Sequence, residues 1–308
     1  MLWAALATIY LVWGSTYLAI RVMVETIPPL LGAGVRFAVA GAVFLAILRL
    51  RGNAERVRIT RAQAAGAALA GTLLCFGGNG LVTVAEQEVP SGLAALIIGS
   101  VPLWVVIMRL AEGDRPGRGT LAGVVVGFIG LSVLVLPGDR PDGAPLWGVL
   151  LIVLAAILWA SGSFYSKRMT LPADALVSTA YQMLLGGGAM IVVGLIAGEA
   201  ADVDPSGFST DSLLALAYLI TFGSMLAYSA YTWLLGNAPI STVTTYAYVN
   251  PVIALALGAT ILSEEITATV LLGAAAIVAA VATVVREEAA ATPATTRRRS
   301  WRRASPLG

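Results

Sequence analysis

The stretch WGSTYLAIR at residues 13–21 returns as WASGSFYSK at residues 159–167, each copy ending on a basic residue eight places after its tryptophan, Arg21 and Lys167. Five long apolar segments accompany each copy. In the first half they fall near 2–20, 30–48, 62–85, 89–108 and 119–136, and in the second near 146–166, 175–198, 212–236, 237–262 and 266–285. A run of about 20 apolar residues, rising ~1.5 Å per residue, crosses the ~30 Å hydrocarbon layer as a helix. Five is an odd number of crossings, so the second half must lie upside down relative to the first. The expected fold is all-α and integral to a membrane, with ten transmembrane helices arranged as two inverted five-helix repeats. The repeats are expected at 1–136 and 146–285, followed by a disordered basic cytoplasmic tail at 286–308, which is too polar to bury a core.

Composition leads to the same class. Apolar residues make up 58% of the chain and charged residues 12%, with a mean hydropathy of +0.86, far from the balance of a water-soluble domain. Histidine is absent and Cys75 is the single cysteine. An intrachain disulfide and a His/Cys metal cluster are therefore excluded, and no metal or other cofactor is expected. Arginine supplies all the basic residues except Lys167, and alanine and glycine abound, a usage that suggests a GC-rich bacterial genome. The first apolar segment has no basic stretch before it and no small-residue cleavage site, so it is expected to remain as the first span.

The basic residues fix the orientation. Arg49, Arg51, Arg56, Arg58 and Arg61 follow the second segment, Arg109, Arg115 and Arg118 the fourth, and Lys167 and Arg168 the sixth; Arg286, Arg297, Arg298, Arg299, Arg302 and Arg303 form the tail. The opposite loops hold Arg21 and Arg140. Under the positive-inside rule, both termini are cytoplasmic and the acidic loop carrying Glu199, Asp202, Asp204 and Asp211 is external.

In the duplicated motif, in AEQEVPSGLAAL (residues 85–96) and in TTYAYVNPVIALALGATILSEEIT (residues 244–267), the chain resembles the drug/metabolite transporter superfamily, in particular its EamA-type ten-helix branch. The resemblance runs over residues 1–285. It implies a ten-helix carrier of the cell membrane with a central cavity between the repeats. Members of this family are thought to move very different small metabolites, often outward. Inverted repeats with a site at their interface are, on physical grounds too, an architecture of secondary transporters working by alternating access. The expected partners are a small-molecule metabolite, such as an amino acid or a related compound, and the lipid bilayer, with protons as the coupling ion to consider.

Several residues stand out as candidates for the site. Arg36 is the ionisable residue inside a span; such a charge should face the bundle interior or water and have a partner. Glu86, ending the third segment at a similar height, is the expected partner. Asn79, Thr83 and Glu86 form a polar stripe at helical spacing. The first and sixth segments present related faces, Trp13, Thr16 and Tyr17 in one and Trp159, Gly162 and Ser163 in the other. An aromatic wall with small hydroxyls suits an organic solute. Tyr228, Tyr231, Tyr246, Tyr248 and Asn250 are further lining candidates. Pro102 and Pro251 occupy equivalent mid-span places in the two halves. Each removes a helical hydrogen bond, which makes them a candidate pair of hinges. Gly119, Gly123 and Gly127 permit close helix contact, within the chain or across a homodimer.

Other functions fit the sequence less well. An enzyme lacks histidine, paired intramembrane carboxylates and any nucleophile–base motif, and no P-loop is present to power a primary pump. The arginine-rich tail suits anionic lipid, not nucleic acid. A receptor or assembly subunit would need a larger soluble loop than the chain contains.

Overall fold

The computed structural model describes residues 1–51, 54–135, 143–238 and 240–291. Ten helices dominate it: α1 (Leu2–Met23), α2 (Pro29–Arg51), α3 (Arg61–Ala85), α4 (Ser91–Ala111), α5 (Arg118–Val135), α6 (Leu146–Arg168), α7 (Ala175–Ile196), α8 (Thr210–Leu235), α9 (Tyr246–Ile261) and α10 (Ala268–Ala291). All but α9 are long and apolar enough to cross a membrane. At 16 residues, α9 is shorter than the sequence suggests. The segment before it forms a separate turn of helix, Ile240–Val243, and Thr245 Oγ1 bonds the Thr242 carbonyl at 2.6 Å, turning the chain before α9 starts. At the other end α10 stays helical to Ala291; residues 292–308, Arg140 and Pro239 lie outside the described residues.

Helix starts follow local chemistry. Thr60 and Gln63 exchange hydrogen bonds in a capping box at α3, Asp174 accepts from Leu176 and Val177 N–H at α7, and Ser209 accepts from Ser212 N–H at α8. Two starts are capped from the opposite half of the chain. Glu199 accepts from Leu30 N–H (3.0 Å) and Leu31 N–H (2.8 Å) at α2, and Glu264 accepts from Ser91 N–H (2.7 Å) and Gly92 N–H (3.0 Å) at α4. A carboxylate at a helix N-terminus satisfies orphan donors and meets the positive end of the helix dipole.

Helix contacts repeat through the two halves. The helices α2 and α7 pack together, as do α5 and α10, so each member of these pairs meets its own counterpart. Contacts of α1 with α9 and α8 are matched by those of α6 with α4 and α3, and α3–α7 is matched by α8–α2. Exchanging each helix for the one five places away maps these contacts onto themselves, which is the pattern of a two-fold related duplication. Small residues let the self-paired helices approach, as expected where lipid supplies no hydrophobic drive between helices. A Cβ on Gly187 of α7 would lie 2.6 Å from Ala38 N and 2.7 Å from Gly34 O of α2. On α5, a Cβ on Gly119, Gly123 or Gly127 would run into Glu287, Val284 or Ala280 of α10. The glycine face read as a route to a homodimer is thus occupied within the chain, and no dimer is proposed from it.

Two departures from regular α-helix matter for the site. The helices α3 and α8 both widen into π-helical geometry, over Thr72–Gly80 and Leu219–Leu226, at equivalent places in the two halves. Such segments are rare and collect at functional positions. In addition, α4 breaks at Gly99–Ser100 into Ser91–Ile98 and Val101–Ala111.

Candidate functional site

A cavity with about 840 Å³ of empty space, part of it continuous with the exterior, lies where the two halves meet. Its wall takes Trp13, Thr16, Tyr17 and Ile20 from α1, Arg36 from α2, and Gly78, Asn79 and Val82 from α3. Further wall residues are Pro102 and its neighbours in α4, Trp159 in α6, Tyr228 in α8, and Tyr246, Asn250 and Pro251 in α9. The two tryptophans of the repeated motif are seated against glycines of the π segments. Trp13 Nε1 donates to the Gly223 carbonyl at 3.2 Å, and a Cβ on Gly78 would collide with the Trp159 ring. Gly78 therefore permits the Trp159 indole to lie close against α3 at cavity depth, whereas a Cβ on Gly223 would meet Thr16 and Arg36.

Around Trp13 the wall is aromatic. The rings of Tyr228, Tyr231 and Tyr246 each lie 5.2 Å from it, the first and third edge-on. Tyr231 stands behind this cluster and off the wall, and Tyr10 OH bonds Thr245 Oγ1 nearby. The cluster belongs to the half of the bundle in which α1 begins. On the opposite side, Arg21 Nη1 donates to the Glu86 and Gln87 carbonyls, satisfying the last turn of α3 with a cation at its C-terminus.

Arg36 is 3% exposed. Its Nε donates to Ser224 Oγ at 3.0 Å, and its guanidinium carbon lies 4.6 Å above the Phe37 ring. Ser224 sits in the π segment of α8, a residue with nothing in the sequence to mark it. The expected ion pair with Glu86 does not form. Glu86 is fully buried, neither carboxylate oxygen has a hydrogen bond, and it feels Glu264, Arg21 and Arg36 only through space. Matching heights along α2 and α3 brought the two groups to one level, but Glu86 caps α3 toward α1 and Arg36 turns toward α8.

Other sequence candidates fall off the wall. Thr83 Oγ1 turns back to the Asn79 carbonyl (2.9 Å) and so does not extend the polar stripe. Ser163 is exposed, and Tyr248 packs on the main apolar cluster. The prolines both line the cavity but act differently. Pro102 follows the break in α4 at the second position of its new helix, where no donor is missed, whereas α9 runs unbroken through Pro251. Pro251 packs against the break in α4, since a Cβ on Gly99 would lie 3.0 Å from Pro251 Cγ. Sequence reading missed the wall residues Ile20, Gly78, Val82, Ala95, Ile98, Gly99, Val101 and Ala247. The GGNG run at 77–80 was the available signal for Gly78.

A model of the EamA-like transporter family matches residues 1–136 and 146–286. The uncharacterized inner membrane transporter YedA of Escherichia coli K12 is 41% identical over 267 residues, covering 86% of this chain and 84% of that protein. The probable amino-acid metabolite efflux pump of Salmonella typhimurium is 26% identical, covering 86% of this chain and 88% of its own. A protein of known crystal structure shares the fold with a TM-score of 0.63 at 21% identity, covering 91% of this chain and 96% of the other.

Proposed function

Because the chain belongs to the EamA-like transporter family, we propose that it is a secondary carrier that moves a small organic metabolite, an amino acid or a related compound, outward across a bacterial inner membrane. The observation that carries this reading is the cavity between the halves, walled by helices of both and bordered by the broken α4 and the proline-bearing α9. Irregular backbone at membrane depth is tolerated where it lines such a cavity. The similarity to an inner membrane transporter and to a probable amino-acid metabolite efflux pump supports the compartment, the solute class and the direction.

In this reading residues 1–136 and 146–285 are two inverted units that rock about α4 and α9, with Pro102 and Pro251 as the bends. Both termini are cytoplasmic, from the distribution of arginine. The aromatic cluster around Trp13 then closes the cytoplasmic side of the cavity. Glu86, a buried carboxyl without a hydrogen bond on the far side, is the group through which a proton would couple to transport. Comparing metabolites in the medium of overexpressing and deletion strains tests the proposal. One amino-acid-like solute should accumulate outside with overexpression and fall with deletion. Identical media, together with no solute exchange by the purified protein in liposomes, would remove the carrier reading.

A further inference from the structure

Resting on the carrier reading above, we propose that the transported solute bears a carboxylate and that Arg36 is its seat, with the solute's apolar body against Trp13, Trp159 and Tyr228. The wall has one fixed positive charge, Arg36, and among the described residues no Asp or Glu lines the cavity. A guanidinium carries five N–H donors in a planar fork. Here Nε is held by Ser224 Oγ and the plane is held over Phe37, which leaves the terminal nitrogens of a wall residue without a carboxylate partner among the described residues. That edge of the fork matches a carboxylate in bidentate geometry.

Three other polar wall groups are engaged on protein. Thr16 Oγ1 donates to the Trp13 carbonyl (2.7 Å), Asn79 Nδ2 to the Leu74 carbonyl (3.3 Å), and Trp13 Nε1 to the Gly223 carbonyl. An incoming solute thus finds tyrosine hydroxyls, the Trp159 indole, aromatic faces and one cation. A cationic solute meets repulsion, and a neutral one leaves a buried charge unpaired, which is costly at this depth. A solute carboxylate neutralises the site. The ammonium of an amino acid, if present, has the faces of Tyr228 and Tyr246 to lie against.

The test uses matched probes in which the head group alone changes: 3-phenylpropanoate, 3-phenylpropanamide and 3-phenylpropylamine, with indolyl and branched aliphatic sets built the same way. Binding to the full chain in nanodiscs is read by quenching of tryptophan fluorescence. At least one acid should bind, with its amide and amine at least about tenfold weaker. The variant Arg36→Gln should weaken the acid on the order of 10- to 100-fold, the range for losing a charge-assisted hydrogen-bonded contact, and should weaken the amide far less, so that the preference for acid over amide collapses. Ser224→Ala, which removes only the tether on Nε, should weaken the acid several-fold and serves if Arg36→Gln does not fold. The proposal is overturned if no acid binds, if an amide or amine binds as well as its acid, or if both variants bind the acid like the wild type. Proteoliposome exchange separates the two levels of the argument. Movement of amines or amides keeps the carrier and removes the anion seat, whereas an acid that binds but never crosses keeps the seat and removes the carrier.

Discussion

Replacing Trp13 by alanine should cost far more stability than replacing Trp159, although the two stand at equivalent points of a duplicated motif. The bundle is immersed in lipid, so burial of apolar area between helices contributes little and the loss must come from packing and polar contacts. Trp13 has three ring neighbours at 5.2 Å and one hydrogen bond to the Gly223 carbonyl. Aromatic pairs contribute about 0.5–1.5 kcal/mol each and a hydrogen bond about the same. These contacts share one indole and are not independent, so a net loss of roughly 2–4 kcal/mol is expected. Trp159 packs over Gly78 and has no aromatic ring partner among the described residues. Its removal should cost about 1–2 kcal/mol, near the centre of the distribution for single substitutions. Reversible unfolding of the purified variants in mixed micelles measures both. Equal losses, or a larger loss at Trp159, would show that the aromatic cluster does not hold that side of the cavity closed.

Three further outcomes are expected. Reporter fusions at residue 55 and residue 205 should read cytoplasmic and external respectively; a cytoplasmic signal at 205 would overturn the inverted arrangement. Gly187→Ala should destabilise the α2–α7 crossing by about 1–3 kcal/mol through overpacking against backbone atoms, whereas Gly188→Ala, with nothing within 4 Å of its new Cβ, should be neutral or stabilising in thermal unfolding. The hydrogen bond from Arg168 holds the Glu112 carboxyl below its ordinary range, so the contribution of this exposed pair is present above the unfolded carboxylate range and is lost as pH falls through the depressed folded value. The difference in melting temperature between wild type and Glu112→Gln should therefore be full near neutrality and vanish in acid; a constant difference across pH would deny the pair.

Much of this architecture was legible because duplication writes the same signal twice. The repeat of WGSTYLAIR marked Trp13, Thr16, Tyr17 and Trp159, and all four stand on the cavity wall with Arg36, Asn79, Tyr228, Tyr246 and Asn250. What the sequence hid is azimuth and local backbone geometry. Spacing along a helix gives height, so Arg36 and Glu86 looked like partners, but the hydroxyl that meets Arg36 comes from α8, where no charge draws the eye. The π segments were hidden for a related reason. A glycine in a helix reads as a packing residue, and its role as the floor under an indole exists only once the second helix is in place. Equivalent prolines likewise gave unequal structures, since Gly99–Ser100 before Pro102 lets α4 break and Tyr248–Val249 before Pro251 does not. That inequality is the informative part. Counted through the paired π segments and prolines, the places held by Tyr228, Tyr231 and Tyr246 are held in the first half by Leu81, Val84 and Ile97. A two-fold related scaffold thus carries aromatic residues at these places in one half and aliphatic ones in the other. If the halves rock about α4 and α9, the two facing states are unequal in energy, because Trp13 has three ring contacts where its counterpart Trp159 has none among the described residues.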